Sequence, residues 1–232
     1  MLKSINKNDG YSMYRFCLPL NNANMYVYIK DGRALIIDCY YDEDLLHILK
    51  ENNVEDITIL LTHEHWDHAS GVEFLRDNFC NCVVLCGKHA EERLKDSRKN
   101  MSCHYKALIT LKHGENNPKI EEANIKPFAF SPDIALDDNE CYIWEDFRLK
   151  VKLTPGHTPG SICVFLNDMT IFTGDSLVNG NTTITRFPGG SKRDFESITV
   201  PFIEGLKKDI LVLPGHGDPS KLENIINFMY NT

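Results

Sequence analysis

The stretch that decides the reading is LLTHEHWDHASG, Leu60 to Gly71. Of nine histidines in 232 residues, three (His63, His65 and His68) fall within six positions, and Asp67 stands beside the last of them. Imidazoles packed this closely repel one another once protonated, so the crowding implies a shared partner. Neutral imidazoles with a carboxylate form the donor set that zinc and similar divalent ions favour. The residues just before, DITILL (Asp56–Leu61), make a short β-branched run of the strand type. The candidate ligands therefore follow directly on a strand end.

Moving outward, the same syntax recurs three times. FRLKVKLTPGH ends at His157, MTIFTGD at Asp175 and DILVLPGH at His216, each an apolar run, a Gly or Pro turn, then a His or Asp. Strands lying side by side with one polarity would bring His63, His65, His157, Asp175 and His216 to a single sheet edge. With Asp67 and His68 the donors number seven, five His and two Asp. One catalytic zinc takes three protein ligands and a water, so seven donors suit two ions, and a carboxylate with its two oxygens can bridge them. Histidines merely satisfied in a core would explain one such residue, not five at strand ends.

Other elements follow from the pattern. NMYVYIK (Asn24–Lys30) and RALIID (Arg33–Asp38) flank Asp31-Gly32, which predicts a hairpin. DEDLLHILKENN predicts a helix capped by Asp42, with Leu45, Leu46, Ile48 and Leu49 at helical spacing. GDPSKLENIINFMY predicts a second helix, with Asp218 as cap, Pro219 in its first turn and a stripe of Leu222, Ile225, Ile226 and Met229. Strands alternating with helices place helices on the outer faces of packed sheets. KHAEERLKDSRKN predicts another helix, but HGENNPKIEEANIKPFAFSPDIAL (113–136) is polar and proline-punctuated, and the stretch from about 88 to 138 fits the pattern least well. The chain reads as one domain, 1–232, with an insertion at about 88–138 that either caps the pocket or is a surface excursion.

A 42% hydrophobic, 25% charged composition is that of a soluble globular protein, and a net charge of −8 disfavours nucleic acid as a partner. No run approaches the roughly 18 apolar residues of a membrane span, nor does the N-terminal stretch have a signal-type apolar core, so a cytoplasmic location without a membrane partner is expected. The eight cysteines are then expected to be reduced. CNCVVLC (Cys80, Cys82, Cys86) lacks the paired C-x2-C spacing of a zinc site and reads as a strand.

Taken together, LIID, THEHWDH, TPGHTPGS, FTGDSL and LPGHG resemble the metallo-β-lactamase superfamily over almost the whole chain, and within it the glyoxalase II-like hydrolases. The resemblance implies an α/β fold, a four-layer αββα sandwich with a metal site at one edge of its two sheets. It assigns His63, His65 and His157 to one metal and Asp67, His68 and His216 to a second. Asp175 would bridge the two, and Asp38 would orient ligands from behind. The implied cofactors are two divalent metal ions, zinc first, with iron or manganese as alternatives. The implied activity is hydrolysis of an ester-like bond (thioester, lactone or a related small molecule) by a hydroxide shared between the ions, with Asp67 and Asp175 as the catalytic carboxylates. The superfamily also holds mononuclear iron persulfide dioxygenases, phosphodiesterases and nucleases, and a noncatalytic metal-binding module is a further alternative. Flavodiiron proteins carry glutamate where this chain has His65, which disfavours a redox di-iron site.

One departure stands out. Relatives often carry GRTD-x-PGG after the bridging aspartate, whereas this chain reads TTITRFPGGSKRDF, with Arg186 where the Asp is expected. Arg186 and Lys192, with Arg193, are candidates to hold the anionic tail of a small-molecule substrate. Trp66, Tyr40 and Tyr41 are candidates for the pocket mouth, and Ser161 and Cys163 read as structural.

Overall fold

The computed structural model describes residues 3–8, 10–114 and 117–229, with side chains for 10–114 and 117–225. Seven strands form the first sheet, in chain order: β1 (Lys3–Asn8), β2 (Tyr11–Cys17), β3 (Asn24–Lys30), β4 (Arg33–Ile37), β5 (Asp56–Leu61), β6 (Asn81–Gly87) and β7 (Ile134–Leu136). It is antiparallel up to β4 and parallel from β4 to β7. The second sheet holds β8 (Cys141–Trp144), β9 (Phe147–Leu153), β10 (Ile162–Leu166), β11 (Thr170–Gly174), β12 (Leu211–Pro214) and β13 (Ser220–Lys221), parallel only between β11 and β12. Helices are α1 (Glu43–Glu51), α2 (Trp66–Ala69), α3 (Val72–Asn78), α4 (Glu91–Leu94), α5 (Ser102–His113), α6 (Pro118–Glu122), α7 (Lys192–Asp194), α8 (Val200–Glu204) and α9 (Leu222–Met229).

The two-residue period of a strand explains the layers. Tyr26, Tyr28, Leu35, Ile37 and Leu60 point one way and meet Leu149, Val151, Val164 and Phe172 of the second sheet. Their neighbours Val27, Ile29, Ala34, Ile36, Ile57 and Ile59 point the other way, onto a core shared with Leu45 and Leu49 of α1 and Tyr105 and Ile109 of α5. Behind the second sheet, Cys163, Ile171 and Val212 pack on Ile203 of α8 and on Leu222 and Ile225 of α9. The result is helix, sheet, sheet, helix, as expected. Aromatic contacts such as Tyr28 with Phe147, edge to face at 5.5 Å, knit the central layer.

Local chemistry sets several element ends. The β3–β4 turn places Asp31 at φ 47° and Gly32 at φ 75°, the left-handed pair of a type I′ hairpin. Asp42 caps α1 by accepting from Leu45 N at 3.1 Å, and Ser191 caps α7 by accepting from Asp194 N at 3.1 Å. All eight cysteines are free, and the CNCVVLC stretch is strand β6. No helix among the described residues is long and apolar enough to cross a membrane.

Three expectations are corrected. α9 begins at Leu222, because Ser220–Lys221 pair with β12, and Asp218 instead takes the Arg15 guanidinium at 2.8 Å. Of the α9 stripe, Leu222 and Ile225 are buried, while the side chains of Ile226 and Met229 lie outside the described residues. The helix over KHAEERLKDSRKN shrinks to Glu91–Leu94: Arg93 turns its head group inward to Glu64, and Asp96 accepts from Arg98 N to make a turn. The polar, proline-punctuated stretch 113–136 forms the short helix α6, where Asn117 accepts from Lys119 N at 3.1 Å, whereas residues 115–116 lie outside the described residues.

Candidate metal centre

The parallel strands β4 and β5 end together, and the β9, β11 and β12 ends reach the same edge from the second sheet. His63, His65, Asp67 and His68 follow β5, His157 follows β9, Asp175 follows β11 and His216 follows β12. At Gly174 the backbone turns at φ 47°, and a Cβ on Gly215 would stand 2.4 Å from Asp175 Oδ1. Glycine at these two strand ends is what lets Asp175 aim into the cluster.

Backing hydrogen bonds decide which ring nitrogen of each histidine faces inward. Asp38 lies behind the cluster, accepting from Thr62 N at 2.7 Å and Thr62 Oγ1 at 2.9 Å, with His68 Nδ1 at 2.8 Å from its other face. His157 Nδ1 donates to Ile184 O at 2.7 Å, and His216 Nδ1 donates to Asn21 O at 3.2 Å. Because Thr62 Oγ1 gives its proton to Asp38, it accepts from His63 Nδ1 at 3.2 Å. With Nδ1 committed as donor, the neutral form of each of His63, His68, His157 and His216 carries its lone pair on the inward Nε2.

Those lone pairs face one another. His68 Nε2 lies 3.3 Å from His216 Nε2, and His157 Nε2 lies 3.0 Å from His65 Nδ1. His63 Nε2, His65 Nε2 and Asp175 Oδ1 are buried with no hydrogen-bond partner. Buried polar atoms without partners are costly, and two converging lone pairs repel unless a cation or a proton sits between them. Donor atoms converge within 4.8 Å in three overlapping sets: His63, His65 and His157; His63, His68 and Asp175; Asp67, His68 and His216. Asp175 Oδ2 is 3.4 Å from both His157 Nε2 and His216 Nε2, and its Oδ1 is 3.5 Å from His68 Nε2. The donors suit divalent metal ions by type, number and orientation.

Titration follows the same logic. Burial, with the nearby His68, drives His63 well below its ordinary range, and burial with the nearby His157 takes His65 down to about 3, so both are neutral donors. Burial also opposes charge on His68, but Asp67, Asp38 and Asp175 outweigh it and push it up to about 9. His216 is likewise raised against burial, chiefly by Asp175. Against their own burial, Asp67 and Asp175 are held below the usual carboxylate range, Asp67 chiefly by His68 and Asp175 chiefly by His216. The negative field of three carboxylates calls for positive charge, which protons supply when no cation does.

A cleft of about 1080 Å³ opens over the cluster. One wall is α5, with Tyr105, Leu108, Leu111 and Lys112; the other is the stretch 178–187, with Val178, Ile184, Arg186 and Phe187. The 88–138 segment thus contributes a cleft wall. Arg186 is exposed on this cleft and makes no ion pair among the described residues. Lys192 lies outside it, paired with Glu196 at 3.6 Å as a solvated helix start. Trp66 is a correction: it is 2% exposed, stacked on Tyr105 and tied through Nε1 to Lys126 O at 3.0 Å. An indole this large packs under the metal loop because its apolar area is worth more buried than at the mouth. Tyr40 is buried and Tyr41 packs on Phe74 at 4.7 Å, so neither reaches the cleft.

The sequence reading also passed over several residues here. Glu64, between two of the ligand histidines, is fully buried; it pairs with Arg93 and accepts from Thr158 Oγ1 at 2.9 Å. Asn21 donates its amide to Asp67 Oδ2 and to Tyr105 Oη. Only the odd placement of a charged Glu64 in a buried loop carried a signal; Asn21 had none.

Comparison with known proteins gives a consistent picture. The family model of the metallo-β-lactamase superfamily matches residues 18–216. The probable metallo-hydrolase YqgX of Bacillus subtilis is 28% identical over 201 residues, 84% of this chain and 85% of that protein. Hydroxyacylglutathione hydrolase GloC of Haemophilus influenzae is 27% identical over 177 residues, 75% of each. The crystal structure of the B3 metallo-β-lactamase BLEG-1 superposes with a TM-score of 0.73 at 26% identity, covering 98% of this chain and 97% of that one.

Proposed function

This chain belongs to the metallo-β-lactamase superfamily, and on that premise we propose that it is a dinuclear metal-dependent hydrolase cleaving an ester-like bond in a small anionic molecule. The observation that carries the proposal is the position of Asp175. Its carboxylate stands between the donor set His63, His65, His157 and the donor set Asp67, His68, His216, with oxygens 3.4–3.5 Å from nitrogens of both. Seven donors so arranged exceed what one ion uses.

Bound there, divalent ions supply a water acidified toward neutral pH and Lewis acidity for the scissile carbonyl. The chain's own residues do the rest. Asp38, Ile184 O and Asn21 O hold the imidazoles of His68, His157 and His216 in one tautomer, so their inward nitrogens stay aimed without reorganisation. Asp67 and Asp175 stay ionised and balance the charge of the site. The α5 and 178–187 walls exclude water on either side, and Lys112 and Arg186 on those walls attract an anionic tail. Hydrolysis delivers hydroxyl to the carbonyl carbon and a proton to the departing oxygen or sulfur. The hydroxyacylglutathione hydrolase among the relatives makes a thioester the first substrate to try.

The test combines elemental analysis of metal per chain with a panel of thioesters, oxygen esters, lactones, a β-lactam and phosphodiesters. About two ions per chain, with turnover of an ester-like member that is lost on chelation and restored by metal, is the expected result. A single ion at full activity, or turnover confined to phosphodiesters, would refute it.

A further inference from the structure

Tyr105 lies on the α5 wall of the cleft, 8% exposed, held by a ring stack on one face and a hydrogen bond at its hydroxyl. It stacks on Trp66 at 4.7 Å and 21°, and the indole is itself anchored to Lys126 O. Its hydroxyl accepts from Asn21 Nδ2 at 2.8 Å. The orientation of that amide is fixed by its surroundings: Asn21 Oδ1 accepts from Ala23 N at 3.1 Å, so the NH2 end must face Asp67 Oδ2 and Tyr105. Both amide hydrogens are thereby committed.

An amide can only donate here, so the hydroxyl is the acceptor and keeps its own proton to give. Two takers are within its reach. One is the Asp67 carboxylate, whose Oδ2 already receives Asn21 and faces His216 Nε2 at 3.4 Å and His68 Nε2 at 3.7 Å. The other is a substrate oxygen in the cleft.

We propose that Tyr105 is a catalytic residue, donating a hydrogen bond to the substrate oxygen that gains negative charge as the ester-like bond is hydrolysed, with Asn21 aiming it. The phenol keeps its proton throughout; the only bonds made and broken are those of the hydrolysis itself. A donor placed before the charge develops acts as an oxyanion-hole group does, since it needs no reorganisation at the transition state. The inference rests on the hydrolase reading.

Tyr105→Phe keeps the ring on Trp66 and removes only the hydroxyl. In metal-loaded protein, kcat/KM for an oxygen ester is expected to fall about 10- to 100-fold, with KM changed less than about threefold and metal content unaltered. The affinity for an alkyl phosphonate, an oxyanion mimic, measured by calorimetry, should weaken about tenfold in step. Unchanged kcat/KM and phosphonate affinity would overturn the proposal. A fall that tracks lost metal would also overturn it, making Tyr105 a support for Asp67 only. If metal-loaded wild type hydrolyses nothing in the panel, the hydrolase reading fails on its own, and phosphonate binding still decides whether the hydroxyl meets an oxyanion.

Discussion

Glu64 and Arg93 offer a sharp test of how the metal loop is held. The Glu64 carboxylate is fully buried, while the Arg93 side chain keeps 16% of its surface exposed. Arg93 has further acceptors in Lys99 O at 2.6 Å and Pro188 O at 3.3 Å, whereas Glu64, among the described residues, has Thr158 and its own backbone N–H besides. Removing the two partners should therefore cost unequal amounts. In Arg93→Met the buried carboxylate loses its counter-charge, a loss of about 3–5 kcal/mol. In Glu64→Gln a neutral carbonyl still accepts from Arg93, and the loss is about 1–2 kcal/mol. At about 2–4 °C per kcal/mol for a chain of this length, the Tm should fall about 6–20 °C in the first variant and about 2–8 °C in the second. The pH dependence has a defined sign. Burial already raises Glu64 above its unfolded value despite Arg93, and loss of the guanidinium raises it further. A carboxyl raised on folding carries no penalty where both states are protonated. The penalty grows as pH climbs from the unfolded value, about 4.3, toward the folded one. The gap between Arg93→Met and wild type should thus be small near pH 5 and widen toward pH 8. Scanning calorimetry on metal-loaded and chelated protein reads both quantities. Equal losses in the two variants, or a gap that stays flat with pH, would refute the reasoning.

Other outcomes follow from the same geometry. His65→Ala should abolish hydrolysis while leaving the far-UV CD spectrum intact, because it removes one donor and no core contact; full activity would sink the assignment. Asp175→Ala should lower metal per chain by elemental analysis, and unchanged loading would mean that the carboxylate joins no ion. Metal uptake should expel protons. In metal-free protein His68 is charged up to about 9, its contribution to stability complete below about 6.5 and fading as pH rises through about 9. Calorimetric titration at pH 7 in buffers of different ionisation enthalpy should show about one proton or more released per chain, declining above about pH 9. Thiol labelling of native protein should modify Cys80, Cys103 and Cys141, which are exposed, and spare Cys86 and Cys163, whose buried thiols are pushed up to about 12.

The ligands after β5, β11 and β12 were legible because each of those strands is a short apolar run, continuous enough to be buried on both faces, and a strand end has one place to go. The Asp31-Gly32 hairpin and the Asp42 cap were legible for a similar reason, since their conformation is set by residues within three positions. What stayed hidden depends on distant partners. α5 divides its apolar residues between the core, at Tyr105 and Ile109, and the cleft, at Leu108 and Leu111, so no single stripe marks it as a helix. Trp66 was a candidate for the pocket mouth because it sits inside the metal loop, yet its resting place is made by Tyr105 and Lys126, about 40 and 60 residues further on. Asn21 gives no hint at all: its value comes from Asp67, Tyr105 and His216, which reach it only in the folded chain.

The two walls of the cleft come from stretches of chain, α5 and residues 178–187, that contribute none of the seven converging donors. The converging donors and the walls that select what enters are therefore inherited on separate segments. Changes in length or composition along α5 would retune what enters the cleft while leaving every donor in place. Substitutions in the strand-end turns would silence the chemistry without altering what fits. A designer seeking a new substrate would vary 102–113 and 178–187 around a fixed Tyr105 and leave the sheet edges alone.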